Sequence, residues 1–260
     1  MENRRLSLLY NLQNLYNSSE VGSIEYQLSG YFIDNYLEIE KLNIFDVAEE
    51  NHVSRATVRR YCNKLGYDNF KKLKQHFNEF DEGLDIYNEF YSRSGFVSVL
   101  KQQIFEMFDE LEERLSNIEL KQIVSAIVLA DEVIIIASST IANSVRFFQQ
   151  AMALFGKRVS IVVNITEFEN RRNSLTADSL VLFFSISGVL AKTMLSVTSD
   201  SDAKVFLFTN LRSPLFNQFF DKVYHLTSSE NQKPNEIIYY TYGIAFVLDT
   251  IINEYSQIKE

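Results

Sequence analysis

From residue 120 onward, short apolar runs alternate with segments of helical periodicity. The apolar runs are Val133–Ala137, Ser160–Val163, Leu180–Ser185, Val205–Thr209 and Lys222–Leu226. The helical segments are Ala142–Phe155, Val189–Ser199, Pro214–Phe220 and Glu236–Glu254. Short, continuously apolar strands that alternate with helices are typical of a parallel sheet covered on both faces. This part of the chain is therefore predicted to be an α/β/α sandwich.

The first 80 residues show helical patterns only. The predicted helices there cover residues 6–16, Ile24–Leu37, Ile44–Glu50, Ser54–Leu65 and Asn69–Phe80. A mixed polar and aromatic stretch with two glycines follows, and after it a long helix is predicted over Phe96–Leu115. A chain of 260 residues has room for two domains. We predict an all-α domain at 1–80, a linker at 81–95 and an α/β domain at 96–260.

Charge is distributed unevenly along the chain. The net charge is −9, yet the window from His52 to Phe77 has Asp68 as its only acid. The basic residues of that window are Arg55, Arg59, Arg60, Lys64, Lys71, Lys72 and Lys74. A basic patch on an acidic chain indicates a small DNA-reading module joined to a larger domain with another role. A solvated basic helix face would give the same charge count, so the count alone leaves both interpretations open.

Residue counts exclude several classes of protein. The one cysteine, Cys62, rules out an internal disulfide and a multi-cysteine zinc site, and the three histidines lack partners at metal-ligand spacing. We therefore expect neither a metal nor an organic cofactor. Apolar runs stay far below the roughly 18 residues of a membrane-spanning helix. Polar residues also interrupt the N-terminal apolar pattern, unlike in a signal peptide. A cytoplasmic protein without a membrane partner is expected.

The segment 44–65 has the pattern of two short helices packed across a tight turn. Ala48 is small where two helices must approach, Asn51 and His52 form the turn, and Ser54 is placed to cap the second helix. In a helix-turn-helix, the second helix lies in the major groove of DNA. The predicted DNA-binding residues are Ser54, Arg55, Thr57, Arg59, Arg60 and Lys64. A structural three-helix bundle has similar spacing; the basic window favours DNA.

The run from Val53 to Lys74 carries a more specific motif. It reads Val-Ser-x-Ala-Thr-Val-x-Arg-Tyr-Cys-x-Lys-Leu-Gly-Tyr-x-x-Phe-x-x-Leu-Lys and resembles the N-terminal domain of the RpiR family of bacterial transcription regulators. The resemblance implies five helices over residues 1–80 and a dimer that reads a palindromic operator. It also implies a C-terminal sugar isomerase (SIS) domain, an α/β sandwich that binds phosphosugars.

Two later stretches are similar to parts of an SIS domain. Residues 178–188, a strand followed by Ser-Ile-Ser-Gly, resemble the strand and loop that form half of the family's phosphosugar site. Residues 204–221 resemble the next strand, loop and helix. Backbone N–H groups and the hydroxyls of Ser185 and Ser187 would converge on an anion at the positive end of the following helix. A simple strand-to-helix turn with capping serines remains an alternative for this loop.

The chain departs from the family pattern in two places. The family usually has Gly-x-Gly-x-Ser after its first strand, whereas Ala137, Ser139 and Ile141 stand in those places here. A side chain would be strained wherever the backbone needs a positive φ. Leu190 replaces the last hydroxyl of the Ser-x-Ser-Gly-x-Ser/Thr motif, and Thr193 is the candidate replacement. The predicted effector-binding residues are Ser138, Ser139, Thr140, Ser185, Ser187, Gly188 and Thr193.

Together these features predict a regulator rather than an enzyme. It would bind double-stranded DNA at a palindromic operator as a homodimer or homotetramer, and respond to a phosphosugar from sugar or amino-sugar metabolism. One alternative is a regulator whose SIS-like domain has lost phosphosugar binding and only oligomerises. Another is a phosphosugar isomerase, whose general base would come from Glu167, Glu169 or Glu230.

Overall fold

A computed structural model of the protein describes residues 3–75, 88–163, 168, 171–195, 202–228 and 236–258. The chain divides into two compact units, Met1–Asp85 and Ile86–Glu260. Buried apolar side chains form one cluster in the first unit and two in the second.

The first unit is a bundle of short helices. Its described helices are α1 (Asn3–Ser18), α2 (Ile24–Asp34), a 3-10 turn (Tyr36–Glu38), α3 (Ile44–Glu50), α4 (Arg55–Lys64) and α5 (Phe70–Gln75). Their apolar faces meet in one core, where the rings of Phe32 and Tyr61 stack with centroids 5.7 Å apart. The Tyr61 hydroxyl is hydrogen-bonded to the Ser29 hydroxyl at 2.6 Å. This buried polar pair is therefore satisfied within the core.

Side-chain caps set where three of these helices begin. The residues whose side-chain oxygens accept N–H groups of the first turns of α2, α3 and α4 are Ser23, Asn43 and Ser54. The last of these caps was predicted from the sequence. The helix predicted to reach Leu37 instead ends at Asp34, because the Asn35 side chain donates to the Tyr31 carbonyl at 2.8 Å and its backbone leaves the helical region. Residues 76–80 of the predicted fifth helix lie outside the described residues.

The second unit is built on a parallel sheet. Its described strands are β1 (Glu132–Ala137), β2 (Val159–Val162), β3 (Ser179–Phe184), β4 (Lys204–Thr209) and β5 (Lys222–His225). Their order is β2-β1-β3-β4-β5, and each neighbouring pair is parallel. In register, Ile135 of β1 lies between Ile161 of β2 and Leu182 of β3.

Helices cover both faces of this sheet. They are α6 (Phe96–Arg114), α7 (Asn117–Leu129), α8 (Ala142–Leu154), α9 (Val189–Thr193), α10 (Phe216–Phe219) and α11, in which π-helical turns at Tyr239–Gly243 join Glu236–Ile238 to Ile244–Ile258. Along β1, Val133 and Ile135 face the core formed with α6, α7, α8 and α11, whereas Ile134 and Ile136 face the core formed with α9 and α10. The predicted fold class is confirmed: an all-helical N-terminal region followed by an α/β domain with a parallel sheet.

Helix α7 was not predicted from the sequence. It begins with a capping box between Ser116 and Glu119, and its buried residues include Ile123 and Ile127. Because its apolar residues continue almost into β1, the sequence pattern does not separate helix from strand there.

The stretch predicted as a linker lies partly in the described region. Residues 81–87 are outside it, and residues 88–91 are helical. Phe90 is buried in the same core as Met107 and Leu111 of α6. Residues 88–95 therefore belong structurally with the second unit.

Candidate nucleic-acid interface and ligand site

The turn between α3 and α4 is fixed by several hydrogen bonds. The buried Asn51 side chain donates to the Val47 carbonyl at 2.9 Å, and the Val53 N–H donates to the Ala48 carbonyl at 2.9 Å. His52 has a φ of +52°, in the left-handed region that residues other than glycine rarely adopt. The geometry of the turn therefore holds α4 at a defined angle to α3.

Helix α4 buries one face and exposes a basic one. Val58, Tyr61 and Cys62 are buried in the core of the first unit, and burial raises the pKa of the Cys62 thiol to about 12. Of the six residues predicted to bind DNA, Thr57 is half-buried and the other five are exposed: Ser54, Arg55, Arg59, Arg60 and Lys64. All six therefore lie outside the buried face of α4.

These six residues differ in their hydrogen-bond partners. Ser54 Oγ accepts from the Thr57 N–H at 3.1 Å, and Arg60 Nη2 donates to Thr57 Oγ1 at 3.3 Å. Lys64 forms an ion pair with Glu25 of α2. Because this pair is largely exposed, it is weak, and a DNA phosphate would compete with Glu25 for the lysine.

One residue beside this surface was missed by the sequence analysis. Phe45 of α3 is 60% exposed, and the Arg55 guanidinium carbon lies 4.6 Å from its ring centroid. This distance is typical of a cation–π contact. A pattern of charges and small residues does not identify an exposed aromatic ring that packs on an arginine.

The carboxyl ends of the strands bring buried polar residues to one edge of the sheet. Ser138 follows β1, Ser185 follows β3, Asn210 follows β4 and Thr227 lies just after β5, and all four are buried. Open α/β sheets bind ligands at this edge. This edge is therefore the candidate ligand site of the second unit.

The loop after β3 forms a tight turn into α9. Ser185 Oγ accepts from the Ala191 N–H at 3.1 Å, Ser187 Oγ accepts from the Val189 N–H at 3.4 Å, and the Gly188 N–H donates to the Ser185 carbonyl at 2.9 Å. The two serine hydroxyls thus cap the turn, as the alternative interpretation of this loop expects. Each hydroxyl still has its own hydrogen to donate to an anion.

Both the backbone conformation and the close neighbouring atoms require a glycine at position 188. Its φ is +74°, and a Cβ there would lie 2.5 Å from Leu211 Cδ2 and 2.6 Å from Leu211 Cβ. The loops after β3 and β4 therefore touch at a point where only hydrogen fits.

The loop after β1 is shaped differently from the family pattern. Ser139–Ile141 form a 3-10 turn, and the described backbone of this loop has no residue with a positive φ. The condition for strain at the replaced glycines, a positive φ, is therefore not met in this loop. Ser138 is buried, Thr140 is half-buried, and the Ser139 side chain lies outside the described part of the structure.

Neither the last motif position, Leu190, nor its candidate replacement, Thr193, adds a hydroxyl to the turn. Leu190 is buried in the core under α9. Thr193 is exposed one turn along α9, and its hydroxyl donates to the Val189 carbonyl at 3.0 Å. The described structure therefore brings Ser185, Ser187 and Gly188 together in one turn but does not add Thr193 to it.

Asn210 is a second residue that the sequence analysis missed. It is only 9% exposed, and neither its side-chain oxygen nor its nitrogen has a hydrogen-bond partner in the described structure. Its backbone N–H donates to the Ile186 carbonyl at 2.8 Å, so it lies beside the Ser185–Gly188 turn. A buried amide without partners costs free energy unless a water or ligand satisfies it.

Basic side chains lie near this edge. Arg212 Nη2 donates to the Thr227 carbonyl at 3.1 Å, just beyond β5. Burial, together with the charges of Arg212 and Arg114, lowers the pKa of His225 below its ordinary value. Arg212 therefore brings a positive charge to the loop after β5, where the Glu110 carboxylate also lies.

Glu110 of α6 ties this edge to α11. Its carboxylate accepts hydrogen bonds from the Thr227 hydroxyl at 3.0 Å, from the N–H and hydroxyl of Ser228, and from the Tyr239 hydroxyl. Burial acts to raise the pKa of this carboxyl, but the hydrogen bonds outweigh it and the pKa is lowered. Glu110 therefore stabilises the fold as an anion.

We expect Glu110→Gln to lower the free energy of unfolding by about 1–3 kcal/mol at pH 7, because hydrogen bonds to a charged acceptor are the stronger ones. The folded state lowers the pKa of Glu110, so its stabilising contribution is full above the ordinary value of 4.5 and is lost as the pH falls through the folded value. Urea unfolding followed by circular dichroism at pH 7 and pH 3 measures the difference from wild type.

The matched control is Glu112→Gln, which changes an exposed carboxylate of the same helix. Equal losses in the two variants would contradict the role of Glu110. So would a Glu110→Gln loss that does not shrink between pH 7 and pH 3.

Within the described residues, no group of three or more His, Cys, Asp and Glu side chains could hold a metal ion. None of the helices in the described ranges is long and apolar enough to cross a membrane.

Sequence comparison finds relatives for one part of the chain. No protein-family model matches this chain. A UPF0122 protein of Bacillus cereus strain AH187 is 35% identical over 100 residues, which are 38% of this chain and 73% of that protein. Over that stretch, the chain belongs to the UPF0122 family. A UPF0122 protein of Bacillus anthracis matches with the same identity and coverage. The UPF0122 likeness covers 38% of this chain, and the name states no activity.

Structure comparison covers nearly the whole chain. The Vibrio vulnificus NanR protein, solved as a complex with ManNAc-6P, has a TM-score of 0.55 at 15% identity and covers 96% of this chain and 92% of that chain. The sugar isomerase domain of an RpiR transcription factor from Sphaerobacter thermophilus has a TM-score of 0.48 at 15% identity, over 61% of this chain and 89% of that domain. At such identity, the likeness to NanR shows that the fold is shared.

Proposed function

We propose that the protein is a DNA-binding transcription regulator whose α/β domain responds to a sugar phosphate. The likeness to NanR carries this proposal, because it extends over 96% of this chain and therefore includes residues of both units. ManNAc-6P, the compound bound to NanR, is a sugar phosphate. We propose the same class of ligand for this chain, and membership of the RpiR family as predicted from its motif.

DNA binding by the first unit is supported by the geometry of α3 and α4. In this proposal the two helices form a helix-turn-helix and α4 is the recognition helix. Its exposed side carries Arg55, Arg59 and Arg60, whose guanidinium groups suit guanine edges and phosphates. A palindromic operator requires two such helices, so the chain would act as a homodimer or homotetramer.

Sugar phosphate binding by the second unit is supported by the polar edge of its sheet. The Ser185–Gly188 turn offers hydroxyl donors for a phosphate, and Asn210 offers an unpaired amide for sugar hydroxyls. Because Leu190 and Ile141 are buried apolar residues, this site has fewer hydroxyls than the family motif. We therefore propose a ligand whose contacts differ from those of the usual family effector.

A regulatory role fits the acid–base groups at this edge better than isomerase activity does. Glu110 is engaged by several donors and has a lowered pKa, so it is a weak base. Glu167, Glu169 and Glu230, the carboxylates considered for an isomerase, lie outside the described residues. Turnover of a sugar phosphate by the purified protein would reverse this assignment.

The first test is selection of DNA from a randomised pool by the purified chain. We expect a palindromic sequence to be enriched, and its affinity to fall steeply with salt because phosphate contacts release counterions. A pool without any enriched sequence would contradict the proposal. Enrichment of a non-palindromic site would contradict the symmetric dimer.

Asn210→Leu separates ligand binding from stability. The substitution removes an unpaired buried amide at similar volume, so we expect the free energy of unfolding to stay equal or rise by about 1 kcal/mol. Binding of the sugar phosphate should weaken at least tenfold, measured as the shift of the unfolding temperature with ligand concentration. Loss of stability without loss of ligand response would show that Asn210 serves the fold alone.

A further inference from the structure

Phe45 of α3 and Arg55 of α4 each lie in the first turn of a helix that begins with a side-chain cap. Asn43 Oδ1 accepts the N–H of Phe45 at 2.8 Å, which fixes this residue in the first turn of α3. Ser54 caps α4 and fixes Arg55 as its first residue. Two separate helix caps therefore fix the backbone positions from which the exposed Phe45 ring and the Arg55 side chain extend.

Among the described residues, the contact with the Phe45 ring leaves the N–H donors of Arg55 without a hydrogen-bond partner. The guanidinium carbon lies 4.6 Å from the centroid of the Phe45 ring, and within the described residues no carboxylate pairs with Arg55. Arg60 and Lys64, in contrast, donate to Thr57 and Glu25. A guanidinium held through its π face keeps its N–H edge free for hydrogen bonds in its own plane.

We propose that Phe45 is a positioning residue that determines base specificity, and that it holds Arg55 to read a guanine in each operator half-site. This inference rests on the proposed DNA-binding function. The N-terminal residues of a recognition helix are the ones that contact base edges. Two parallel hydrogen bonds from arginine to guanine O6 and N7 need a positioned guanidinium, and the contact with the Phe45 ring restricts its position before DNA binds.

The test compares wild type, Phe45→Leu and Phe45→Tyr on the selected operator. Each is also measured on operators in which one base pair per half-site is replaced in turn. Leucine keeps the apolar contact but lacks the π face, whereas tyrosine keeps both. We expect wild type and Phe45→Tyr to prefer guanine at one position by at least tenfold. The guanine preference of Phe45→Leu should be about three- to tenfold smaller than that of wild type, whereas the two proteins should bind unrelated DNA with the same affinity.

A fourth protein tests whether the preference passes through Arg55. Arg55→Lys keeps the charge but lacks the two-donor edge, so it should lose the same preference. Adding Phe45→Leu to Arg55→Lys should then have no further effect on base preference. If Phe45 had only a packing role, Phe45→Leu would weaken binding to every operator equally. A positioning role predicts that the affinity changes unequally with the base at one position.

Three outcomes overturn the inference. Phe45→Leu could keep the full guanine preference, or it could weaken binding to all DNA sequences equally. The double variant could also lose more preference than Arg55→Lys alone. If wild type selects no sequence at all, the proposed DNA-binding function fails first, and the role of Phe45 fails with it. If wild type selects a DNA sequence and Phe45→Leu keeps the same guanine preference, the role of Phe45 alone is overturned.

Discussion

Gly188→Ala should lower the free energy of unfolding of the second unit by about 2–4 kcal/mol and abolish the response to a sugar phosphate. The new Cβ would lie 2.6 Å from Leu211 Cβ, an atom fixed to the backbone, so the loops after β3 and β4 must move apart. The left-handed φ of +74° adds strain for any side chain. Chemical unfolding and ligand-dependent thermal shift measure the two effects.

Gly95→Ala is the matched control for this substitution. Gly95 also precedes a helix of the second unit with a left-handed φ, +67°, but a Cβ there meets nothing within 4 Å. It should cost only the backbone strain, about 1 kcal/mol, and leave the ligand response intact. Equal losses in the two variants would show that the contact with Leu211 has no importance of its own.

Replacing both Arg55 and Arg59 by alanine should weaken operator binding by about 2–4 kcal/mol, or roughly 30- to 1000-fold. Both side chains are exposed on α4, so their removal leaves the core of the first unit unchanged. Affinity for the selected operator at fixed salt measures the loss, and unchanged thermal unfolding confirms the fold.

The control for this pair is Lys41→Ala combined with Arg93→Ala. It removes the same charge from residues outside α4 and should change affinity less than threefold. If the two double variants weaken binding equally, the effect is one of net charge. The role of α4 as the recognition helix would then be wrong.

The fold of this chain could be predicted well because burial is periodic. The apolar run at β1 and the alternation of such runs with helices define a sheet buried on both faces. Each end of each predicted strand lies within one residue of the observed end. Helix α7 was missed because its apolar stripe continues almost into β1, and α2 was predicted too long because local capping by Asn35 is invisible to periodicity.

The candidate sites could be predicted only where residue type determines the contact. Serines and glycine after β3 indicated the turn, and arginines indicated the exposed face of α4. Asn210 and Phe45 gave no signal, because their importance depends on what the folded chain places beside them. The loop after β1 does without the family's glycines, since its 3-10 turn has no residue with a positive φ.

We propose that a sugar phosphate alters the binding of this protein to its operator. The direct measurement is the dissociation constant of the operator complex with and without N-acetylmannosamine 6-phosphate and a panel of hexose 6-phosphates, for wild type and Asn210→Leu. We predict that at least one compound changes the wild-type constant tenfold or more, a coupling of about 1.4 kcal/mol, and that Asn210→Leu responds far less. A specific operator whose affinity is the same with every sugar phosphate would contradict the claim.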